Sequence, residues 1–273
     1  MAFKFRRALI EITNGCNLAC GFCVVSARPR GVMPLALFES AAAQVKEFAA
    51  VVSLHLLGEP FMHPELPEIL RAASRLGLHI NLVTNGTLLE KFGPGLFAEP
   101  CLEQVTVSLQ ALAALPGPES ARVLRRLAAF VGTRPEHIIT SFRLRCGRQD
   151  PFFKEVSAFF LGAFPCAEDR GRGALKLAEN VYLNTGPLFN WRGGRSAGAK
   201  SCLGLRHHFG ILYGGEVVPC CADYDGALAF GNIRTTPLRE ILNSPRAAAL
   251  RVSIASVNAM PDYCGQCGFL QPG

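Results

Sequence analysis

Short apolar runs alternate with helically spaced apolar positions over the first 165 residues. Strand-like runs fall at 7–13, 52–57, 79–84, 104–110 and 138–145. Helical spacing fills 35–49, 63–76, 119–131 and 151–164. The helix over 63–76 is the clearest. Pro64 suits its first turn, Leu66, Ile69, Leu70 and Ala73 share a face, and Gly77 suits the cap. Repeated strand–helix units predict a parallel sheet with helices outside. There is room for about six units, so the expected class is α/β, a partial (β/α)6 barrel rather than a full eight-stranded one.

Alternation sorts the strand side chains. In 104–110, Val105, Val107 and Leu109 oppose Thr106, Ser108 and Gln110. In 138–145, Ile138, Thr140, Phe142 and Leu144 oppose Ser141, Arg143 and Arg145. Helices should cover the apolar faces, which turns the polar set inward. A polar lumen with two arginines suits a polar or anionic ligand; a salt bridge at the rim is the alternative. Chemistry in parallel barrels sits at the C-terminal strand ends.

Beyond residue 165 the pattern changes. Residues 165–201 are rich in Gly, Arg and Asn, with one strand expected at 175–183 and then a long loop. Gly214-Gly215 between two alternating runs signals a hairpin. Thr236-Pro237 starts a helix to about Leu242, and a second follows Pro245.

The chain has 273 residues, 49% of them hydrophobic and 18% charged, enough for one large and one small domain. No apolar run reaches the ~18 residues of a membrane span. The start, MAFKFRRALIEIT, lacks the core of a signal peptide, so a cytoplasmic location is expected. Eleven cysteines then read as metal ligands or free thiols rather than disulfides. The net charge of +7 fits an acidic partner or arginine-rich coding bias. No aromatic–basic interleaving argues for nucleic acid.

Three cysteines follow the first strand: Cys16, Cys20 and Cys23, spaced C-x3-C-x2-C in CNLACGFC. Three thiolates cover three irons of a four-iron cluster and leave the fourth open. A closed structural site uses four ligands. Three cysteines with a remote fourth on zinc are the plainer alternative. The spacing resembles that of the radical S-adenosylmethionine (radical SAM) enzymes. In that family the open iron is chelated by the methionine part of S-adenosylmethionine. Reduction of the sulfonium releases a 5′-deoxyadenosyl radical that removes hydrogen from carbon.

Further segments carry the same resemblance. Leu57-Gly58-Glu59-Pro60 is similar to the family's Gly-Gly-Glu-Pro, which implies that Gly58 and Glu59 hold the cosubstrate's amino group. Leu57 departs from the pattern. Val83-Thr84-Asn85-Gly86 follows the third strand, which puts Asn85 at the site. Ser108 occupies a ribose-contact position, Phe22 the aromatic position beside adenine, and Arg143 and Arg145 are candidates for the methionine carboxylate. The family's usual Asp is Gln110 here, so no proton transfer is assigned to it.

A second cysteine set comprises Cys202, Cys220, Cys264 and Cys267. With the hairpin and helix, it resembles the SPASM and twitch auxiliary-cluster domains, closest to the one-cluster twitch type that includes an aminocyclitol dehydrogenase. Cys221 competes with Cys220 as ligand, and zinc is the alternative metal. Only six residues follow Cys267, so no second auxiliary cluster is expected. Cys101, Cys146 and Cys166 lack ligand spacing and read as buried or free thiols. One of them, or Cys221, is a hydrogen-donor candidate if the enzyme is an epimerase. His55 reads as a core histidine or a lumen group, and His207-His208 as pocket or solvated loop.

The resemblance implies a radical SAM domain over 1–185, a SPASM/twitch-like domain over 186–273, two 4Fe-4S clusters and S-adenosyl-L-methionine. It also implies a low-potential electron donor such as flavodoxin or ferredoxin. A four-thiolate auxiliary cluster has no open iron, which favours electron transfer and hence oxidation. The early first strand leaves no room for a leader-binding domain, so a small polar substrate such as a sugar or aminocyclitol is expected. A peptide-modifying enzyme with a separate leader-binding protein is the alternative. Arg170, Arg172, Arg192 and Arg195 suit an anionic small molecule or an acidic peptide. A non-catalytic iron–sulfur carrier or redox sensor is the rival of another class, but needs no nucleoside pocket.

Overall fold

In the computed structural model the described residues are 5–188, 191, 199–255, 260–265, 267–268 and 271–272. In chain order they form β1 (Arg7–Ile10), α1 (Leu35–Val45), β2 (Val51–Leu54), α2 (Leu66–Leu76), β3 (His79–Thr84), β4 (Leu102–Ser108) and α3 (Gly117–Thr133). There follow β5 (Ile139–Arg145), α4 (Pro151–Ala163), β6 (Glu168–Asp169), β7 (Ala174–Ala178), β8 (Val181–Gly186) and β9 (Ala199–Ser201). The chain continues with β10 (His208–Ile211), β11 (Glu216–Val218), β12 (Gly231–Asn232), α5 (Leu238–Asn243), α6 (Pro245–Ala255), α7 (Asp262–Gly265) and β13 (Gln271–Pro272). Among the described residues no helix is long and apolar enough to cross a membrane.

Two compact units share these elements. The first comprises Met1–Asn17, Phe22–Ile80 and Phe189–Gly273; the second comprises Leu18–Gly21 and Asn81–Leu188. In the first, β1 pairs in parallel with β2 (Ala8↔Val52) and with β10 (Arg7↔His208). β11 and β12 extend that edge antiparallel. The Gly214-Gly215 turn joins β10 to β11, with Gly215 at φ 97°, a value that favours glycine. The N-terminus of α5 is tied to α1, because Gln44 Oε1 accepts from Leu238 N at 2.6 Å.

In the second unit β4, β5 and β8 run parallel. Alternation holds on β5. Phe142 is buried against Phe160 of α4, ring centroids 4.6 Å apart. On the opposite face, Ser141 Oγ accepts from Asn184 Nδ2 of β8 at 3.0 Å. The polar face of β4 is also satisfied inside, where Thr106 Oγ1 donates to Asn81 Oδ1 at 2.9 Å.

Local chemistry shifts several expected boundaries. The helix expected from residue 63 begins at Leu66, with Pro67 rather than Pro64 in its first turn. Pro60–Met62 form a separate 3₁₀ turn whose N-cap is Glu59. Gly77 closes α2 in the left-handed conformation, φ 67°. The fourth strand ends at Ser108, and Leu109–Ala114 turn into a 3₁₀ helix. Gln110 therefore does not extend the strand's polar face. The second strand stops at Leu54, so His55 follows the strand rather than lying on one of its faces. Residues 175–183 form a hairpin, β7 antiparallel to β8, because Asn180 takes φ 57° at the turn. Arg192 and Arg195 lie outside the described residues.

Candidate functional site

The first cysteines sit on a loop closed at its base. Thr13 bridges Val32, Thr13 Oγ1 donates to Gly31 O at 2.9 Å, and Gly31 N donates to Asn14 Oδ1 at 2.8 Å. Cys16 and Cys20 are half-buried and Cys23 is exposed. Although Cys23 is exposed as a residue, desolvation around its sulfur and the neighbouring Cys16 raise its thiol. Cys20 belongs to the second unit, where its Sγ lies 3.7 Å from Ala111 O. Phe22 is half-buried in the same loop.

The exit of β2 lies directly on the exit of β1. Glu59 N donates to Gly15 O at 2.8 Å. Gly58 has φ 77°, and a Cβ there would overlap Thr13 O and stand 2.8 Å from Gly15 O. Only glycine permits this approach, so the sequence requirement at Gly58 is a backbone clasp on the cysteine loop. Glu59 is 1% exposed, and its Oε1 accepts from Phe61 N at 3.2 Å.

In the second unit, Asn85 Oδ1 accepts from Thr87 N at 2.9 Å and from Thr87 Oγ1 at 2.7 Å. Its side-chain oxygen therefore shapes the turn after β3. Ser108 and Arg143 are half-buried at the C-terminal ends of β4 and β5. Arg145 departs from them: its Nη1 donates to Thr185 O of β8 at 2.9 Å.

The later cysteines surround a cavity of about 110 Å³ in the first unit, walled by Cys202, Cys220, Cys221, Cys264 and Cys267. Burial pushes the Cys264 thiol up to about 12, helped by Cys202 and Cys267. Burial also drives Cys220 well above its ordinary value, helped by Cys221, Cys202 and Cys267. Thiolates this crowded are costly without a cation, and a metal centre reverses that balance. Gly204 N donates to Cys202 Sγ at 3.3 Å, a bond suited to a ligand sulfur. Among the described residues no three His, Cys, Asp or Glu side chains are arranged to hold one metal ion. Four sulfurs on a single zinc, at about 2.3 Å each, would have to stand within about 4 Å of one another. A four-iron cube gives each thiolate its own iron and spaces the donors more widely, and the crowded thiols here are the donor type it takes. Cys221 packs against the cluster of Leu9, Leu56, Leu212 and Val218, while both Cys220 and Cys221 line the cavity.

The sequence comparisons decide the family. A profile of the radical SAM superfamily matches residues 10–141, and one of the SPASM iron–sulfur cluster-binding domain matches residues 202–268. The chain is a radical SAM protein with a SPASM domain. A PqqA peptide cyclase of Rhizobium meliloti (strain 1021) is 32% identical over 117 residues, 41% of this chain and 30% of that protein. The match thus spans less than a third of that relative. The PqqA peptide cyclase of Gluconobacter oxydans (strain 621H) is 24% identical over 302 residues, 95% of this chain and 81% of that one. Among solved structures, BtrN in complex with AdoMet and 2-DOIA has a TM-score of 0.62 at 16% identity, covering 98% of this chain and 94% of that one. Streptococcus suis SuiB bound to precursor peptide SuiA has a TM-score of 0.65 at 16% identity, covering 100% of this chain and 71% of that one. At such identities the likeness is one of fold.

This radical SAM chain also holds a polar junction that motif reasoning misses. The Glu11 carboxylate, fully buried, takes both Nη atoms of Arg28 at 2.7 Å and Tyr213 N at 3.2 Å. Arg28 Nε donates to Tyr224 O at 2.7 Å, and Ser26 Oγ donates to Asp225 Oδ1 at 2.6 Å. The radical SAM cysteine loop is thereby bolted to the SPASM segment within the first unit. The available signal was a carboxylate inside the apolar run ALIEIT. Of the remaining thiols, Cys101 is buried, Cys146 half-buried and Cys166 exposed. His208 lies on the wall of the cysteine cavity.

Proposed function

We propose that this chain is a two-cluster radical SAM enzyme that oxidises a substrate C–H bond, with the radical SAM domain over 1–185 and the SPASM/twitch-like domain over 186–273. Cys16, Cys20 and Cys23 hold the catalytic cluster, and Cys202, Cys220, Cys264 and Cys267 the auxiliary one. When bound, the catalytic cluster and S-adenosylmethionine would supply a hydrogen-abstracting 5′-deoxyadenosyl radical, and the auxiliary cluster would supply an acceptor for the second electron as the substrate loses a proton to solvent. Gly58 and Glu59 would offer the acceptor for the cosubstrate ammonium, Ser108 would contact its ribose, Arg143 its carboxylate, and Phe22 its adenine. Asn85 shapes the turn after β3. The single observation that carries the two-cluster reading is the cavity ringed by cysteines, far along the chain from CNLACGFC.

For the substrate, the sequence relatives favour a peptide, since those cited are PqqA peptide cyclases. A small polar molecule is the second reading, supported by the nearly whole-length fold match to BtrN with 2-DOIA. A flavodoxin or ferredoxin would supply the priming electron.

Replacing Cys264 and Cys267 by alanine tests the division of labour. The folded double variant should fall from about eight to about four irons and still release 5′-deoxyadenosine with S-adenosylmethionine and dithionite. A folded variant with unchanged iron content would overturn the auxiliary-cluster assignment.

A further inference from the structure

Three arginines line one cavity where the second unit's parallel strands end. Arg145, Arg148 and Arg172 line one open cavity of about 730 Å³, with Cys146, Thr185 and Gly186. Arg145 closes β5 and Gly186 closes β8, the strand ends at which open α/β sheets bind ligands. Among the described residues none of the three arginines makes an ion pair. The local carboxylates have partners of their own, although the Asp150 charge also raises the Cys146 thiol on the cavity wall. Glu168 pairs with Arg170, Asp169 Oδ1 accepts from Gly171 N at 2.7 Å, and Asp150 Oδ1 accepts from Phe152 N at 2.9 Å.

The arrangement is built into the backbone. Arg145 lies across Gly186, where a Cβ would overlap its Nη1. Arg172 takes φ 53° between Gly171 at 73° and Gly173 at 77°, a conformation a long side chain adopts only under constraint. The constraint is the end of β8: Thr185 N and Oγ1 both donate to Gly173 O, at 2.7 and 3.1 Å. A Cβ on Gly173 would stand 2.8 Å from Thr185 Oγ1. Burial lowers the Arg145 pKa, and no acidic group opposes that shift.

We propose that this cavity binds an oxyanion group of the substrate, a carboxylate or a phosphate, in the forks of Arg145, Arg148 and Arg172. Forked donors match planar or tetrahedral oxyanions, and the cavity exceeds what a simple halide fills. This rests on the radical SAM reading above, and it leaves Arg143 for the cosubstrate.

The test uses the full reconstituted chain without substrate, titrated with inorganic phosphate or succinate at constant ionic strength, with the melting temperature as readout. At least one anion should raise it in a saturable way. The combined R148A and R172G variant should fold, because glycine relieves the left-handed strain, yet bind that anion about tenfold or more weakly. Preference for phosphate or succinate identifies the group. No saturable shift in the wild type, or an equal shift in the variant, would overturn the proposal. Failure of the radical SAM reading would show separately, as no 5′-deoxyadenosine from the wild type, with the anion titration unaffected.

Discussion

Glu59 performs two tasks that substitution can separate. Its Oε1 caps the turn after β2 through Phe61 N, and its charge is the proposed partner of the cosubstrate ammonium. Glu59→Gln keeps the acceptor and removes the charge. It should bind S-adenosylmethionine about tenfold more weakly in a titration while its unfolding midpoint stays near wild type. Glu59→Ala should weaken binding as much and also lose about 1 kcal/mol with the cap. Unchanged binding in Glu59→Gln would remove the charge from the site. At this scale sequence reading works where one residue type answers one demand. At Gly58 the need for glycine is legible, but the contact that imposes it is with Thr13 and Gly15, a demand within the chain that the motif does not state. Sequence reading fails where a side chain has a choice of partners: Arg145 shares a strand face with Arg143, yet its guanidinium is held by Thr185 O.

Among the elements, the junction between the cysteine loop and the hairpin is the most sensitive to substitution. Arg28→Ala would leave the Glu11 carboxylate buried without its bidentate partner. The expected loss is about 3 kcal/mol in denaturant unfolding, with loosening of the loop that carries Cys16 and Cys23. Adding Glu11→Gln should recover part of that loss, and the double-mutant cycle measures the coupling. Strictly additive single effects would show that the pair does not hold the loop. Periodicity reveals β1, β3 and the apolar faces of β5 and α2, because each buries one face. Element ends are less legible. Glu59 caps a turn that delays α2, and the turn at Glu179-Asn180 divides one apolar run into β7 and β8. Contacts such as Ser26 with Asp225 join residues about 200 positions apart, beyond the reach of any local pattern.

At the scale of the whole molecule, two cysteine sets far apart in sequence make one account of function. Spacing singles out both sets, and the structure gathers the later one around a single cavity. It does not separate Cys220 from Cys221, which both line the cavity, and only the packing of Cys221 against the cluster of Leu9 and Leu56 distinguishes them. The central claim is that radical chemistry starts at Cys16, Cys20 and Cys23. The most direct measurement is 5′-deoxyadenosine released under anaerobic reduction, by the reconstituted wild type and by the triple alanine variant at these positions, with iron counted in each. The account expects about eight irons and clear release from the wild type, and about four irons and no release from the triple variant. A triple variant that still releases 5′-deoxyadenosine, or an iron-loaded wild type that releases none, would contradict it.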